Sequence, residues 1–169
     1  MEEMNINYEA YLDGKRLLGT VQITQPNLQS MTQEIKGAGI AGSADVPVLG
    51  HFQDMTGTIA FRTVTPDVKK ILAQQYHHIE FWAAVQTFDP ATGKKTPKQH
   101  KVIWRAMPKG TNLDTHAVGE LQNREIEFNI IYLKEFYDND LVLEIDKFNY
   151  IYNVGGEDLL SSVRSIVGL

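Results

Sequence analysis

Apolar and polar residues alternate with a period of two over much of this chain, the mark of strands with one buried face. The clearest stretch is 55–61, where Met55, Gly57, Ile59 and Phe61 alternate with Thr56 and Thr58 between Asp54 and Arg62. Nearer the start, Asp13-Gly14 separates strand-like runs at 7–12 and 17–23, and a two-residue Asp-Gly between such runs predicts a β-hairpin. A third extended run covers 28–35. Residues 36–50 then carry four glycines and a proline with neither helical nor alternating pattern, so the reading is a long glycine-rich loop. Thr65-Pro66-Asp67 predicts a helix start, since Thr is a good N-cap and Pro fits the first helical position. Val68, Ile71, Leu72 and Tyr76 would form its packed side.

Further on, β-rich runs at 78–88 and 99–107 are joined by the turn-rich segment 89–95, which predicts an antiparallel pair. Residues 123–137 form the longest strand candidate, with Ile126, Phe128, Ile130 and Tyr132 on one face and Glu125, Glu127 and Asn129 on the other. Residues 141–145 follow as its partner across Asp138-Asn139-Asp140. Behind the Gly155-Gly156 break, Leu159, Leu160, Val163 and Ile166 take helical spacing. The expected fold is mainly β: an antiparallel sandwich or barrel flanked by one α-helix, with a short C-terminal helix or tail over 153–169.

Composition narrows the functional classes. A chain of 169 residues fits one domain spanning 1–169, and 43% hydrophobic with 22% charged residues is a globular balance without disordered tracts. A net charge of −5 argues against a sequence-reading nucleic-acid binder, which draws its affinity from Lys and Arg on phosphates. The absence of cysteine removes disulfides, zinc ribbons and thiol nucleophiles. Met1-Glu2-Glu3-Met4-Asn5 has no secretory pattern, and no apolar run is long enough to span a membrane.

Candidate chemistry is sparse. Gly37-Ala38-Gly39-Ile40-Ala41-Gly42 matches G-x-G-x-x-G letter for letter, but that motif must open a helix facing a pyrophosphate, and Pro47 and Gly50 leave no room for one. His78 and Glu80 share a strand face while His77 points away, too few ligands for zinc, and His51, His100 and His116 lie elsewhere. Glu135, Asp138, Asp140, Glu144 and Asp146 gather near turns, where acidic residues are ordinary. Phe81, Trp82, Phe88, Trp104, Phe128, Tyr132, Phe136 and Tyr137 sit at strand spacing and read as core or interface residues. No catalytic residue, cofactor or metal is expected.

The run Gly37-Ala38-Gly39-Ile40-Ala41-Gly42-Ser43-Ala44, the strand at 55–61, Glu144-Ile145-Asp146, and the ending from Asn153-Val154-Gly155-Gly156-Glu157-Asp158-Leu159 to Gly168-Leu169 carry a resemblance by their order and spacing. Together they resemble the major tail tube protein of contractile-tailed phages, the family that includes R-type pyocin tubes. The likeness covers essentially the whole chain. It implies six subunits closing into a ring through a continuous sheet, rings stacked into a tube, and a contractile sheath outside. Sheath protein, baseplate hub, tape-measure protein and tail terminator are the implied partners, with DNA passing through the lumen. The implied place is the virion tail, with assembly in host cytoplasm.

In that picture the loop is expected to reach the next ring, since Gly37, Gly39 and Gly42 permit close backbone approach and Ile40, Val46, Val48 and Leu49 offer apolar contact. Glu125, Glu127 and Asn129 are expected to face the lumen, where an acidic wall repels phosphate. Asp146, Asp158 and Arg164 are expected to make C-terminal assembly contacts. Two other readings share the pattern. One is the tube of a DNA-free contractile particle, a tailocin or secretion tube; the other is a β-sandwich carbohydrate-binding or hydrolytic module.

Overall fold

A computed structural model describes residues 2–17, 20–113 and 117–169. His116, Leu18 and Gly19, all used above, lie outside them. Strand β1 (Glu2–Leu12) turns through Asp13 and Gly14, both at positive φ, into the short β2 (Lys15–Arg16), as the Asp-Gly signal predicts. The second run does not stay with β1. Leu17 is buried, and β3 (Thr20–Thr24) leaves to pair with β6 (Met55–Phe61).

The extended run expected at 28–35 is a strand, but residues 36–50 depart from the expected loop. β4 (Ser30–Lys36) and β5 (Ser43–Phe52) pair with each other as a separate two-stranded sheet, so only 37–42 form a connecting tip. No alternation marks this hairpin in the sequence because neither of its faces is buried by the rest of the chain: residues 31–49 are all exposed.

α1 (Pro66–Ile71) starts as predicted, with Thr65 Oγ1 accepting from the Val68 amide at 3.4 Å and Pro66 in the first turn. Val68 and Ile71 are fully buried, whereas Tyr76 lies past the helix end and is exposed. β7 (His77–Phe88) and β8 (Lys95–Thr111) form the expected antiparallel pair, and β8 rather than β9 (Arg124–Tyr137) is the longest strand. β10 (Asp140–Asp146) returns beside β9 through Asp138 and Asn139, both left-handed. β11 (Ile151–Val154), β12 (Glu157–Asp158) and α2 (Ser161–Val167) finish the chain.

The main sheet runs β12-β11-β10-β9-β8-β7-β1-β2, with β6 and then β3 added to the first half of β9. β9 pairs with β6 up to Ile130 and with β10 from Tyr132. At that switch a bulge leaves Ile131 unpaired with β8. The extra residue reverses the facing of everything beyond it, so Leu133 turns into the core while Tyr132, placed by alternation with Ile130, does not.

Strands β3-β6-β9-β8-β7-β1 surround one core, to which they contribute among others Ile23, Ile59, Phe128, Trp104, Phe81 and Ala10. Trp104 donates its indole N–H to Gln25 Oε1 at 3.1 Å and stacks edge-on to Phe81 at 4.5 Å. Its ring reaches the backbone of Gly57, where a Cβ would stand 2.4 Å from the indole.

Candidate assembly surfaces

The β4–β5 hairpin is an arm with a fixed root. Gly50 holds φ +68° and passes so close to Leu160 that a Cβ would stand 2.5 Å from its side chain. Phe52 packs edge-on against Tyr152 at 5.1 Å, and the Gln53 amide donates to the Gln29 carbonyl at 2.8 Å. Lys147 Nζ, whose pKa burial lowers, donates to the Gln53 carbonyl at 2.7 Å.

Beyond that root the arm's register separates two faces. Gln33 lies opposite Val46 and Ile35 opposite Ala44 on one of them, while Met31 and Val48 fall at the register shift between Ser30 and Thr32. Thr32 opposite Pro47, Glu34 opposite Asp45 and Lys36 opposite Ser43 make the other. The first face is the more apolar, through Ile35, Ala44 and Val46, and the second the more polar, yet Met31, Ile35, Val46 and Val48 are all exposed, by 49, 44, 42 and 42%. Of the residues expected in the contact loop, Gly37, Gly39, Ile40 and Gly42 lie at the tip, Val46 lies on the more apolar face, and Val48 and Leu49 sit exposed near the root.

Glu125, Glu127 and Asn129 do share the non-core face of β9, beside Thr58 and Thr56 of β6. That face is less acidic than its sequence suggests, since Lys109 Nζ of β8 lies 3.7 Å from Glu127. Past the bulge the same side becomes mixed. Lys134 pairs with Glu144 at 3.4 Å, and Tyr132 donates to Glu144 at 2.8 Å. Burial and then that carboxylate raise the Tyr132 phenol pKa. On β7, Glu80 accepts from Lys101, His78 and Trp82, each at 3.0 Å, and Lys101 also sits over the Trp82 ring. Burial would raise the Glu80 pKa, but the three donors outweigh it and leave the carboxyl lowered. His78 and Glu80 were placed on one face by sequence reasoning, whereas Lys101 and Lys109 were missed, because cross-strand neighbours emerge only from register.

The C-terminal trio is bonded within the chain. Asp146 accepts from the Phe148 and Asn149 amides at 3.0 Å, closing the turn before β11. Asp158 pairs with Arg164, which also donates to the Tyr150 carbonyl at 2.7 Å. The other carboxylates disperse: Glu135 meets His100 at 2.7 Å and Asp138 meets Lys98 at 3.3 Å. Among the described residues no three His, Asp or Glu converge on a metal position.

An open-edged β subunit with an uncovered amphipathic arm has the attributes of an assembly unit, and comparison with known proteins agrees. The family model described as phage tail tube protein FII matches residues 4–168. The chain belongs to that family.

Solved structures share this tail tube protein's fold. A chain from the sheath/tube terminator of the PVC extracellular contractile injection system in its extended state aligns with TM-score 0.55 and 12% identity, over 78% of this chain and 94% of the other. One from the PVC sheath-tube complex aligns at 0.53 with 12% identity, over 77% and 88%. One from the anti-feeding prophage baseplate aligns at 0.51 with 6% identity, over 76% and 90%. A search of curated proteins found no match. As a tail tube protein the chain is a structural subunit.

Proposed function

We propose that this chain is the building block of a contractile phage tail tube, a single tube domain that closes into hexameric rings and stacks them. The lumen would carry DNA to the target cell without binding it specifically. The observation that carries the reading is the uncovered amphipathic arm on a member of the tail tube family. A subunit with that arm and open sheet edges completes its burial only by meeting further copies. The arm is the element that reaches the next ring, while the long strands β9, β8, β7 and β1 supply the ring wall.

If about six copies each give about four strands, strand spacing near 4.8 Å and a tilt of about 40° make a wall roughly 150 Å around and 48 Å across the backbone. A duplex fits inside after side chains are subtracted. Glu125, Glu127 and Asn129 are our candidates for the lumen side, and Asp146 and the Asp158–Arg164 pair for holding the C-terminal segment in shape for contact. Sheath, baseplate hub, tape-measure protein and tail terminator are the partners this role requires, in a virion tail assembled in host cytoplasm.

A second reading is favoured by the likeness to PVC and anti-feeding prophage chains: the same ring could serve a DNA-free injection particle. Capsid and terminase genes beside this one would indicate a phage, and their absence the particle. The decisive experiment on assembly is negative-stain microscopy of concentrated protein, with mass from light scattering. Six-fold rings or hollow rods of uniform width are expected. Two-fold particles or irregular aggregates, with the sheath partner present as template, would overturn the reading.

A further inference from the structure

Among the described residues β4 and β5 pair only with each other, so no sheet ladder fixes the angle at which the arm leaves the body. That angle is set at the root, where four consecutive residues each meet the segment 147–160. Gly50 lies against Leu160, and the His51 ring stands edge-on to Tyr150 at 6.5 Å. Phe52 packs on Tyr152, and the Gln53 carbonyl accepts from Lys147.

The C-terminal segment is itself lightly held. Of residues 157–169 only Leu160 is buried, at 2% exposure, and it lies against the backbone of Gly50. No residue of α2 is buried, and Ile166, Val167 and the following Leu169 are exposed by 85, 60 and 73%. Beyond the two residues of β12, α2 is attached through Leu160 just before it and through Arg164, which pairs with Asp158 and donates to the Tyr150 carbonyl at 2.7 Å. Tyr150 holds φ +50°, a left-handed backbone that a bulky side chain adopts only where its neighbours enforce it. Arg164 grips its carbonyl and His51 meets its ring, so this residue joins α2 to the arm by a second route.

We propose that the C-terminal segment is a latch on the arm. With Leu160 seated on Gly50 and Arg164 holding Tyr150 the arm keeps one orientation, and drawing α2 away frees it. This goes beyond ring stacking, since it concerns how one chain couples two of its own surfaces. Packed contacts of this kind are seated or unseated and do not deform continuously, so the arm has a held and a released state. Coupling is reciprocal. A partner that takes up Ile166, Val167 and Leu169 favours release of the arm, and one that moves the arm loosens α2 by the same factor.

The cysteine-free sequence allows spin labels at chosen pairs of sites. T32C, just beyond the arm's root, and S165C, on α2, are each combined with K69C on α1, which Val68 and Ile71 anchor in the core. Distances between labels are measured in dilute protein whose mass is that of the monomer. The wild type should give one narrow distribution for each pair. L160A removes the seated side chain and G50A forces it off, so each should broaden both distributions to about twice their width or more. R164A is the diagnostic variant. Arg164 bonds to Asp158 and Tyr150, neither of them in the arm, so a role confined to α2 would leave the arm pair as in the wild type, whereas the latch broadens it. Amide protection of β7, β8 and β9 in the same samples shows that each variant is folded. A broad arm distribution in the wild type, an arm pair unmoved by L160A or R164A, or an α2 pair unmoved by G50A overturns the latch. None of these readings depends on whether rings form, so the tube reading stands or falls separately.

Discussion

Trp104 spans the interior enclosed by the curled sheet, and Gly57 is the residue that lets it. The alternation at 55–61 places Gly57 on the buried face but cannot say why a glycine stands there; the 2.4 Å approach of a would-be Cβ to the indole supplies the reason. G57A is expected to overpack this contact and cost about 1–3 kcal/mol, read as a lower denaturant midpoint with an unchanged slope. Adding W104F should recover part of the loss, since the shorter ring withdraws from the new methyl. The Asp158–Arg164 pair gives a pH-dependent counterpart. Hydrogen bonding from Arg164, against a smaller opposing effect of burial, holds the Asp158 carboxyl below its ordinary value near 3.9. A depressed carboxylate contributes stability that is present above its unfolded pKa and lost as pH falls through the folded one. At neutral pH D158N should therefore loosen the α2 segment, seen as faster amide exchange. The difference from wild type should shrink once pH drops below about 4. A difference that persists undiminished in acid would assign the effect to packing instead.

At the scale of elements, the parts written locally were legible in the sequence. Asp13-Gly14, Asp138-Asn139 and Thr65-Pro66 each encode a turn or cap in two adjacent residues, and each occurs where it was read. What needed tertiary information was not legible. The unpaired Ile131 carries no compositional mark, so the facing of β9 beyond it was misassigned at Tyr132. The arm's first strand was read as an extended run, but its second escaped because burial of one face by the chain's own core is what produces readable alternation, and the arm has no such core. The site was half legible: Ile40, Val46, Val48 and Leu49 were singled out, while their division between tip, face and root depends on a register that no residue pair announces. The same lack of a core predicts behaviour. In dilute subunits, amides of β4 and β5 should exchange with little protection while those of β7, β8 and β9 approach the global limit. Deleting residues 37–42 should leave that central protection intact and abolish stacking. An arm as protected as β8 in the free subunit would mean that it is stable on its own and needs no partner to order it.

For the whole molecule the question is how an open sheet with two unlike ends associates. At one end, β1 has neighbours β7 along its length and β2 only at Tyr11 and Leu12, so among the described residues no strand pairs with the side of residues 2–9 away from β7. At the other end stand the short β11 and β12, with α2 beyond them. An isologous dimer would need one of these edges to pair with itself. β1 discourages that by its irregularity: the bulge between Asn5 and Asn7 bends the edge and breaks the ladder a flat partner would need. Pairing between unlike edges lets a differently shaped strand follow that bend, and it either closes after a fixed number of copies or runs on. Mass measured against concentration should therefore rise from monomer to a large closed species, with no plateau at twice the monomer. The net charge of −5 opposes the first contacts, so raising salt should move the transition to lower protein concentration. A stable dimer plateau, insensitive to salt, would show that a self-complementary patch governs association, and the head-to-tail geometry required of a tube subunit would have to be abandoned.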